Sequence, residues 1–270
     1  MKRLPLNLTL GVSLVGMVVL AAAVSYVWLP HDPNRMDFGA QFAAPGTAYL
    51  LGTDHFGRDL LSRLLVGARS TLLVSFVAVG ISLGLGGALG ALAGWVSGWF
   101  DEAMMRLVDV LYAFPAILMA LLLAAVFRPG ILTAMAAIGL ATAPVFARLT
   151  RASVLSLRGR EYVEAGRALG ASEARLLATH VLPGATSPIV VQASLSMAIA
   201  VLAEAALSFL GLGAPPDVPS WGNMLREAQG FMALSPYPAL VPGFAIVVTV
   251  LGWSLLGDGL RDRLDPTTSR

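Results

Sequence analysis

The stretch that decides the fold is STLLVSFVAVGISLGLGGALGALAGWVSGWF, residues 70–100, which contains no charged side chain. A helix needs about 20 mostly apolar residues to cross the roughly 30 Å hydrocarbon layer of a membrane. Because no water is present there, the backbone must satisfy its own hydrogen bonds, which a helix does. We therefore predict a transmembrane helix here. Gly86, Gly90, Gly94 and Gly98 recur every four residues and form a stripe on which another helix of the chain can pack closely.

Five further apolar segments accompany this one. The chain is 57% hydrophobic and 13% charged, with a mean hydropathy of +0.77, which excludes an ordinary soluble domain. We predict an all-α integral membrane protein with six transmembrane helices. The other five candidate spans are residues 8–29, 104–127, 131–147, 187–210 and 239–257.

The chain divides into two parts on this pattern. Residues 1–69 form a transmembrane anchor, retained rather than cleaved because its apolar run exceeds a signal core of about 7 to 15 residues, followed by an outer segment. Within that segment, Asp59 and Arg63 are expected to pair at i, i+4 on a short surface helix whose apolar face carries Leu60, Leu61, Leu64 and Leu65. Residues 70–270 form a five-helix core with a charged loop at 148–186.

Positive charge sets the predicted orientation. With the N-terminus inside, twelve of the eighteen Lys and Arg residues, Lys2, Arg3 and Arg270 among them, fall on the inner side and six on the outer side. Cytoplasmic loops carry the excess of positive charge. We therefore expect both termini in the cytoplasm.

The charged loop has the pattern of two short helices joined by a bend. Apolar residues alternate with charged ones at helical spacing from Arg148 to Arg175. Gly170 is placed to end the first helix by adopting a left-handed backbone, and Ser172 with Glu173 is typical of the start of the next. Pro183 closes the second helix or kinks it before the fifth span. A charge run alone would favour a plain solvated loop.

The spacing within this loop resembles a known family. Glu164, Ala165 and Gly166 are followed after three residues by Gly170, and nine residues later by His180-Val-Leu-Pro183. This is similar to the Glu-Ala-Ala loop of permease subunits of bacterial ABC importers, with Gly166 in place of the second Ala and His180 in place of Ile. The resemblance implies that Glu161, Glu164, Ala165, Gly166, Leu169, Gly170, Ala171, Leu182 and Pro183 couple the chain to an ATPase.

A second motif narrows the resemblance. Leu51-Gly-Thr-Asp-His-Phe-Gly-Arg-Asp59 is similar to the outer motif of "C" permease subunits of dipeptide, oligopeptide and nickel importers, with Thr53, Asp54, Gly57, Arg58 and Asp59 at its characteristic positions. Later stretches, including Glu204-Ala-Ala-Leu-Ser-Phe-Leu-Gly211, fit the same subfamily, so the resemblance covers nearly the whole chain. Several ordered motifs at compatible spacing outweigh any one of them.

The resemblance implies a type I ABC importer permease with a cytosolic coupling helix, in the bacterial inner membrane. Expected partners are a homologous second permease chain, two cytosolic ATPases and an extracytoplasmic binding protein for peptides or nickel. ATP and magnesium would bind the ATPases. In agreement, the only lysine is Lys2, so the chain has no Gly-Lys-Ser/Thr loop for phosphate.

Glu204 is the one acidic residue well inside the fifth span, and it is either a gate or path residue or a polar tie to a neighbouring helix. His31, His55 and His180 are isolated in the sequence, so we expect no metal site. An ion-coupled secondary transporter or channel is the alternative function, and it predicts inverted repeats and broken helices. A membrane-embedded enzyme lacks a nucleophile, base or metal constellation.

Overall fold

The computed structural model describes residues 6–264, so Lys2, Arg3 and Arg270 of the charge count lie outside the described residues. Within this range the regular secondary structure is helical, apart from an isolated antiparallel bridge between Thr53 and Asp59, and residues 28–59 are mostly irregular. The helices are α1 (Leu6–Val27), α2 (Leu60–Val96), α3 (Gly98–Ala113), α4 (Ala116–Phe127), α5 (Ile131–Arg158), α6 (Glu161–Ala168), α7 (Glu173–Leu176), α8 (Thr186–Phe209), α9 (Trp221–Gln229) and α10 (Tyr237–Leu264).

Five of the described helical segments are long and apolar enough to cross a membrane, and they contain α1, α2, α5, α8 and α10. The sixth predicted span, residues 104–127, is not one helix. It is broken between α3 and α4, whose axes differ by 88°. Pro115 causes the break, because the residue before a proline is driven out of the helical region, and Phe114 is extended with φ −81° and ψ 122°.

The expected short surface helix is also wrong. Leu60, Leu61, Leu64 and Leu65 form the first turns of α2, which continues without interruption to Val96. At 1.5 Å per residue these 37 residues extend about 55 Å, more than the membrane's apolar layer, so one end of α2 protrudes. The helix continues through Arg69 and Ser70 because no proline lies near them to interrupt it.

The core forms where α2 packs along α5 and where α1 and α8 pack on α10. The glycine stripe of α2 explains the first contact. A Cβ on Gly86 would lie 2.1 Å from the Ala143 carbonyl oxygen, and one on Gly90 would lie 2.2 Å from that of Ala147. The predicted packing of the stripe within the chain is confirmed for these residues and for Gly94, whereas Gly98 has open space and begins α3 at φ +66°.

The helix that contains the predicted fourth span, residues 131–147, runs on into the predicted charged loop. Residues 148–158 continue α5 instead of leaving it. Thr150 and Val154 are buried on this extension, and Val154 faces the Gly94 backbone of α2. The apolar face of the extension therefore stays helical because it has a partner to pack against.

Candidate functional site

The segment from Glu161 to Pro183, called the hairpin below, is a helix, a bend and a second helix. The bend is at Gly170, whose φ of +83° is left-handed, as predicted. The Ala171 N–H donates to the Gly166 carbonyl at 3.1 Å, and the Gly170 N–H donates to that of Arg167 at 3.0 Å. These two bonds are the Schellman arrangement, in which glycine tolerates the positive φ that other residues disfavour.

A small apolar cluster anchors the hairpin to the ends of α2 and α5. Val163 of α6, Leu176 of α7 and Val181 are fully buried against Ala91 and Val154. A Cβ on Gly166 would lie 2.8 Å from a Leu176 methyl group, so this glycine lets the two arms approach each other. The hairpin therefore has a packed base that can move with the long helices.

The opposite side of the hairpin is open. Leu169, beside the bend, is 89% exposed, and Tyr162 is 46% exposed. Of the predicted coupling residues, Glu161, Glu164, Ala165, Gly170 and Pro183 are also exposed, whereas Gly166, Ala171 and Leu182 are partly buried. The last three contribute to the inside of the hairpin: Gly166 meets Leu176, and Ala171 and Leu182 pack against the apolar cluster.

Polar contacts hold the bend itself. Arg167 of α6 pairs with Glu173 of α7 at 2.8 Å, which joins the two arms across Gly170. Ser172 takes the predicted position before α7, but its side chain makes no capping hydrogen bond. The arm continues as a π-helical turn, Leu177–Val181, and a 3-10 turn, Pro183–Ala185, before α8 begins. Pro183 thus starts the turn that leads into the fifth span.

Two arginines of α5 attach this helix to α2 and α3 near the point where α5 leads into the hairpin, and the sequence interpretation missed both. Arg158 donates to the Gly94 carbonyl at 2.9 Å and to the Ser97 hydroxyl, at the C-terminal end of α2. Arg151 donates its Nε–H and an Nη2–H to the two carboxylate oxygens of Asp101 of α3, at 2.5 and 2.6 Å. A bidentate pair of this kind fixes orientation as well as distance. Helices α2, α3 and α5 are thereby connected directly beneath the hairpin.

Glu204 lies in α8 and faces protein. Its side chain is buried and accepts hydrogen bonds from Thr71 of α2 at 2.9 Å and from Ser208 at 2.8 Å. The Ser208 hydroxyl in turn accepts the Ala214 N–H. Both carboxyl oxygens are therefore occupied by contacts within the chain. This is the arrangement of a polar tie between α8 and α2.

The outer motif, residues 51–59, forms a compact hydrogen-bonded loop at the start of α2, called the outer loop below. Thr53 accepts the Ala43 N–H at 2.8 Å, and Asp54 accepts the N–H groups of Phe56 and Arg58. Gly57 has a φ of +74° and touches the Asp37 backbone so closely that a Cβ would overlap it. This position therefore requires glycine.

The charged side chains of the outer loop and the start of α2 do not pair as predicted. Asp59 caps α2 by accepting the Ser62 N–H at 2.9 Å, whereas Arg63 binds Glu227 of α9 at 2.9 Å. Arg58 joins Asp54 at 2.7 Å and Glu227 at 2.5 Å. The Asp59 carboxylate is directed at the N–H and hydroxyl of Ser62, while the Arg63 guanidinium is directed at Glu227. The ion pairs hold the outer segment against α9, a contact invisible in sequence because its halves lie more than 150 residues apart.

His55 adds an aromatic contact to the same joint. Its ring stacks on Phe231 at 4.5 Å and lies 4.0 Å from Phe56. Burial lowers the pKa of His55 below the usual value for histidine, which favours the neutral ring at neutral pH. The described residues contain no group of three or more His, Cys, Asp or Glu side chains that could hold a metal ion.

Known proteins are similar to this chain in sequence. Residues 86–270 match the family described as "Binding-protein-dependent transport system inner membrane component". The chain is 43% identical to a glutathione transport system permease protein, GsiD, of Shigella flexneri, with 96% of this chain and 86% of the relative covered. It is 45% identical to the GsiD of Salmonella typhimurium over 93% of this chain and 83% of the relative.

Solved structures share the fold at lower identity. An inward-facing form of the MetNI methionine ABC transporter matches with a TM-score of 0.60 and 20% identity, covering 77% of this chain and 97% of that one. An amino acid ABC transporter with histidines matches with a TM-score of 0.55 and 20% identity, covering 75% and 94%. At this identity the likeness concerns the fold alone.

Proposed function

Because the chain belongs to the family of inner membrane components of binding-protein-dependent transport systems, we propose that it is the permease subunit through which short peptides enter the cell by ATP-driven alternating access. Membership makes the chain a multi-pass inner membrane subunit of an ABC importer, a class in which separate subunits hydrolyse ATP. The finer assignments are the coupling contact, the partners, the orientation and the substrate.

The hairpin is the coupling contact in this proposal. The observation that carries it is the contrast between the two sides of the hairpin: a buried base at Val163, Leu176 and Val181, and an open tip at Leu169. The exposed tip leaves Leu169 free to contact a partner, and the reason to expect a partner there is family membership. A cytosolic ATPase is the partner that the family supplies. Glu161 and Glu164 would bind its surface, and Ala165 would allow it to approach closely.

The route from the hairpin into the membrane is short. A displacement of the tip acts on the apolar cluster, which includes Ala91 of α2 and Val154 of α5. Arg151 and Arg158 attach α3 and the end of α2 to α5, so the displacement reaches these helices together. The helix bundle would have two alternative packing arrangements, and the ATPases need only favour one of them. A partner that binds one conformation more tightly shifts the equilibrium toward that conformation.

The complete transporter would contain a homologous second permease chain, two ATPases that bind ATP and magnesium, and an extracytoplasmic binding protein. Both termini of this chain would be cytoplasmic, with the hairpin on the same side. Glu204 would serve as a polar tie and not as a gate, because both its oxygens are already bonded within the chain.

Short peptides are the proposed substrates, with glutathione among them. The support is that the relatives at 43 and 45% identity are named as glutathione permeases, and glutathione is a small peptide. Nickel is the second member of the substrate class. Among residues 6–264 no side-chain group suited to a metal supports it. The break between α3 and α4 is a feature of some secondary transporters, but family membership favours ATP-driven transport.

Uptake by the reconstituted transporter tests this assignment. Proteoliposomes containing this chain, its partner subunits and the binding protein should accumulate labelled glutathione only with ATP present. Unlabelled dipeptide should compete and nickel chloride should not. ATP-independent uptake driven by an ion gradient would contradict the proposal, and competition by nickel alone would overturn the substrate assignment.

A further inference from the structure

A cavity of about 460 Å³ lies between α5, α8 and α10, at the end of the bundle that carries the hairpin. Its lining begins at Ser187, four residues after the hairpin ends at Pro183, and continues along α8 through Val191 and Leu195. We call it the α8 cavity. Because a water molecule takes up about 30 Å³ in the liquid, the cavity has room for roughly fifteen waters, which is enough for a dipeptide.

A close contact between α8 and α10 closes the deep end of the α8 cavity. A Cβ on Gly257 of α10 would lie 3.1 Å from a methyl group of Leu195, so the two helices touch there. Beyond this contact, toward the hairpin, Arg261 of α10 and Ser187 of α8 line opposite sides of the cavity. The cavity is open on one side, so its lining can be reached by a ligand.

Arg261 supplies the charge of the α8 cavity. It lies in the last turn of α10 and is exposed. Within the described range its guanidinium takes part in no hydrogen bond or ion pair, and the exposed acids Asp258 and Asp262 of α10 neither pair with it nor line the cavity. Its N–H donors are therefore available to a group that enters the cavity. The planar guanidinium fits a carboxylate through two parallel hydrogen bonds.

Two uncharged polar side chains extend the polar lining into the membrane span. Gln192 lies five residues beyond Ser187 on α8, which is about 7.5 Å along the helix axis. Gln192 is partly buried, and its amide group donates to Ser196 at 3.3 Å, while its amide oxygen has no partner in the part of the chain that the structure describes. Polar groups in a membrane span face protein or a water-filled cavity, because hydrocarbon cannot hydrogen-bond them. Water therefore suits this cavity better than a lipid chain does.

We propose that the α8 cavity is a water-filled site for an anionic group, the free carboxylate of a transported peptide, which Arg261 binds while Gln192 contacts the peptide deeper in the cavity. The peptide as ligand rests on the proposed function, whereas the preference for an anion rests on Arg261 and the presence of water on Gln192. Because Ser187 follows the hairpin closely, a displacement of the hairpin moves one wall of the cavity relative to Arg261. Retention and release of the carboxylate would thereby follow the hairpin.

Thiol labelling tests whether water fills the cavity, because the chain contains no cysteine. Val191→Cys places a single thiol on the cavity lining of the assembled transporter in lipid nanodiscs. Methanethiosulfonate reagents of negative and of positive charge, neither of which enters hydrocarbon, should both label this thiol, as measured by the mass of the chain. Val190→Cys is the matched variant, because Val190 is the adjacent residue, is 44% exposed and does not line the cavity. It should label roughly tenfold more slowly, since a thiol in hydrocarbon does not ionise.

The charge preference is tested in the Val191→Cys background. Arg261→Gln should lower the ratio of the anionic to the cationic labelling rate roughly fivefold, the effect of one charge at about 4 Å in water. Arg263→Gln is the control, because Arg263 lies in the same last turn of α10 and does not line the cavity, and it should leave the ratio unchanged. Glycylglycine should slow the labelling, whereas glycylglycinamide, which has no carboxylate, should not. Arg261→Gln should abolish this protection.

Failure of either reagent to label Val191→Cys would show that lipid or another chain fills the cavity, and this would overturn the proposal. So would a charge ratio that Arg261→Gln leaves unchanged, the absence of protection by glycylglycine, or equal protection by glycylglycinamide. Because labelling needs no ATP, ATP-driven uptake by the same Val191→Cys transporter shows separately whether the proposed function stands.

Discussion

Gly90→Ile is expected to prevent the chain from folding stably in the membrane. A Cβ at this position would lie 2.2 Å from the Ala147 carbonyl oxygen and 2.9 Å from its carbonyl carbon. These are backbone atoms of α5, so the clash cannot be relieved by rotating a side chain. Overpacking typically costs about 1–3 kcal/mol and more where the backbone must shift, so we expect a loss at the upper end or beyond. The measurement is monodisperse yield and thermal midpoint in detergent.

Gly84→Ile supplies the control for this prediction. Gly84 belongs to the same helix and has no atom within 4 Å of its added Cβ. Both variants introduce the same side chain into α2, so helix propensity and hydrophobicity change equally. Gly84→Ile should therefore retain near wild-type yield and midpoint. Equal loss in the two variants, or none in Gly90→Ile, would show that the packing of α2 on α5 is not what the glycine stripe provides.

Gly170→Val is expected to separate ATP hydrolysis from transport. Valine at a φ of +83° is strained by about 1–3 kcal/mol, so the bend should adopt another conformation and displace Leu169. No atom lies within 4 Å of an added Cβ, so the effect comes from backbone conformation and not from a clash. In proteoliposomes with the partner subunits, peptide transported per ATP hydrolysed should fall sharply while the amount of inserted permease is unchanged.

Gly159→Val is the matched variant, since Gly159 lies at the end of α5 with equal space around it but a φ of −92°. It should keep coupling close to wild type. If Gly170→Val transported with wild-type stoichiometry, the bend could not be the element through which the ATPases act. If Gly159→Val lost coupling equally, the effect could not be assigned to the left-handed conformation.

Much of this arrangement was predictable because it depends on local pattern. The length of the apolar segments predicted five of the membrane-spanning helices. The spacing of Gly86 and Gly90 predicted a close helix contact, and Gly170 predicted the position of the bend. In each case one property of a residue type, such as apolar surface, absence of a Cβ or tolerance of positive φ, is enough to set the structure.

The parts that were missed depend on residues distant in sequence. Glu227 binds both Arg58 and Arg63, and Arg63 is therefore directed toward α9 and away from Asp59, the partner predicted from sequence spacing. The continuation of α2 through Arg69 and the break at Pro115 were misjudged because hydropathy marks apolar length without marking where a helix begins or bends.

The most direct test of the central claim, that the hairpin contacts the ATPase, uses the absence of cysteine from the chain. Leu169→Cys places a single thiol at a position 89% exposed, and Leu132→Cys places one at the 80% exposed start of α5 as the comparison. After thiol cross-linking of the assembled transporter, mass spectrometry should find the ATPase joined to residue 169 and not to residue 132. An ATPase joined only to residue 132, or a residue 169 thiol labelled from outside the cell, would contradict the account.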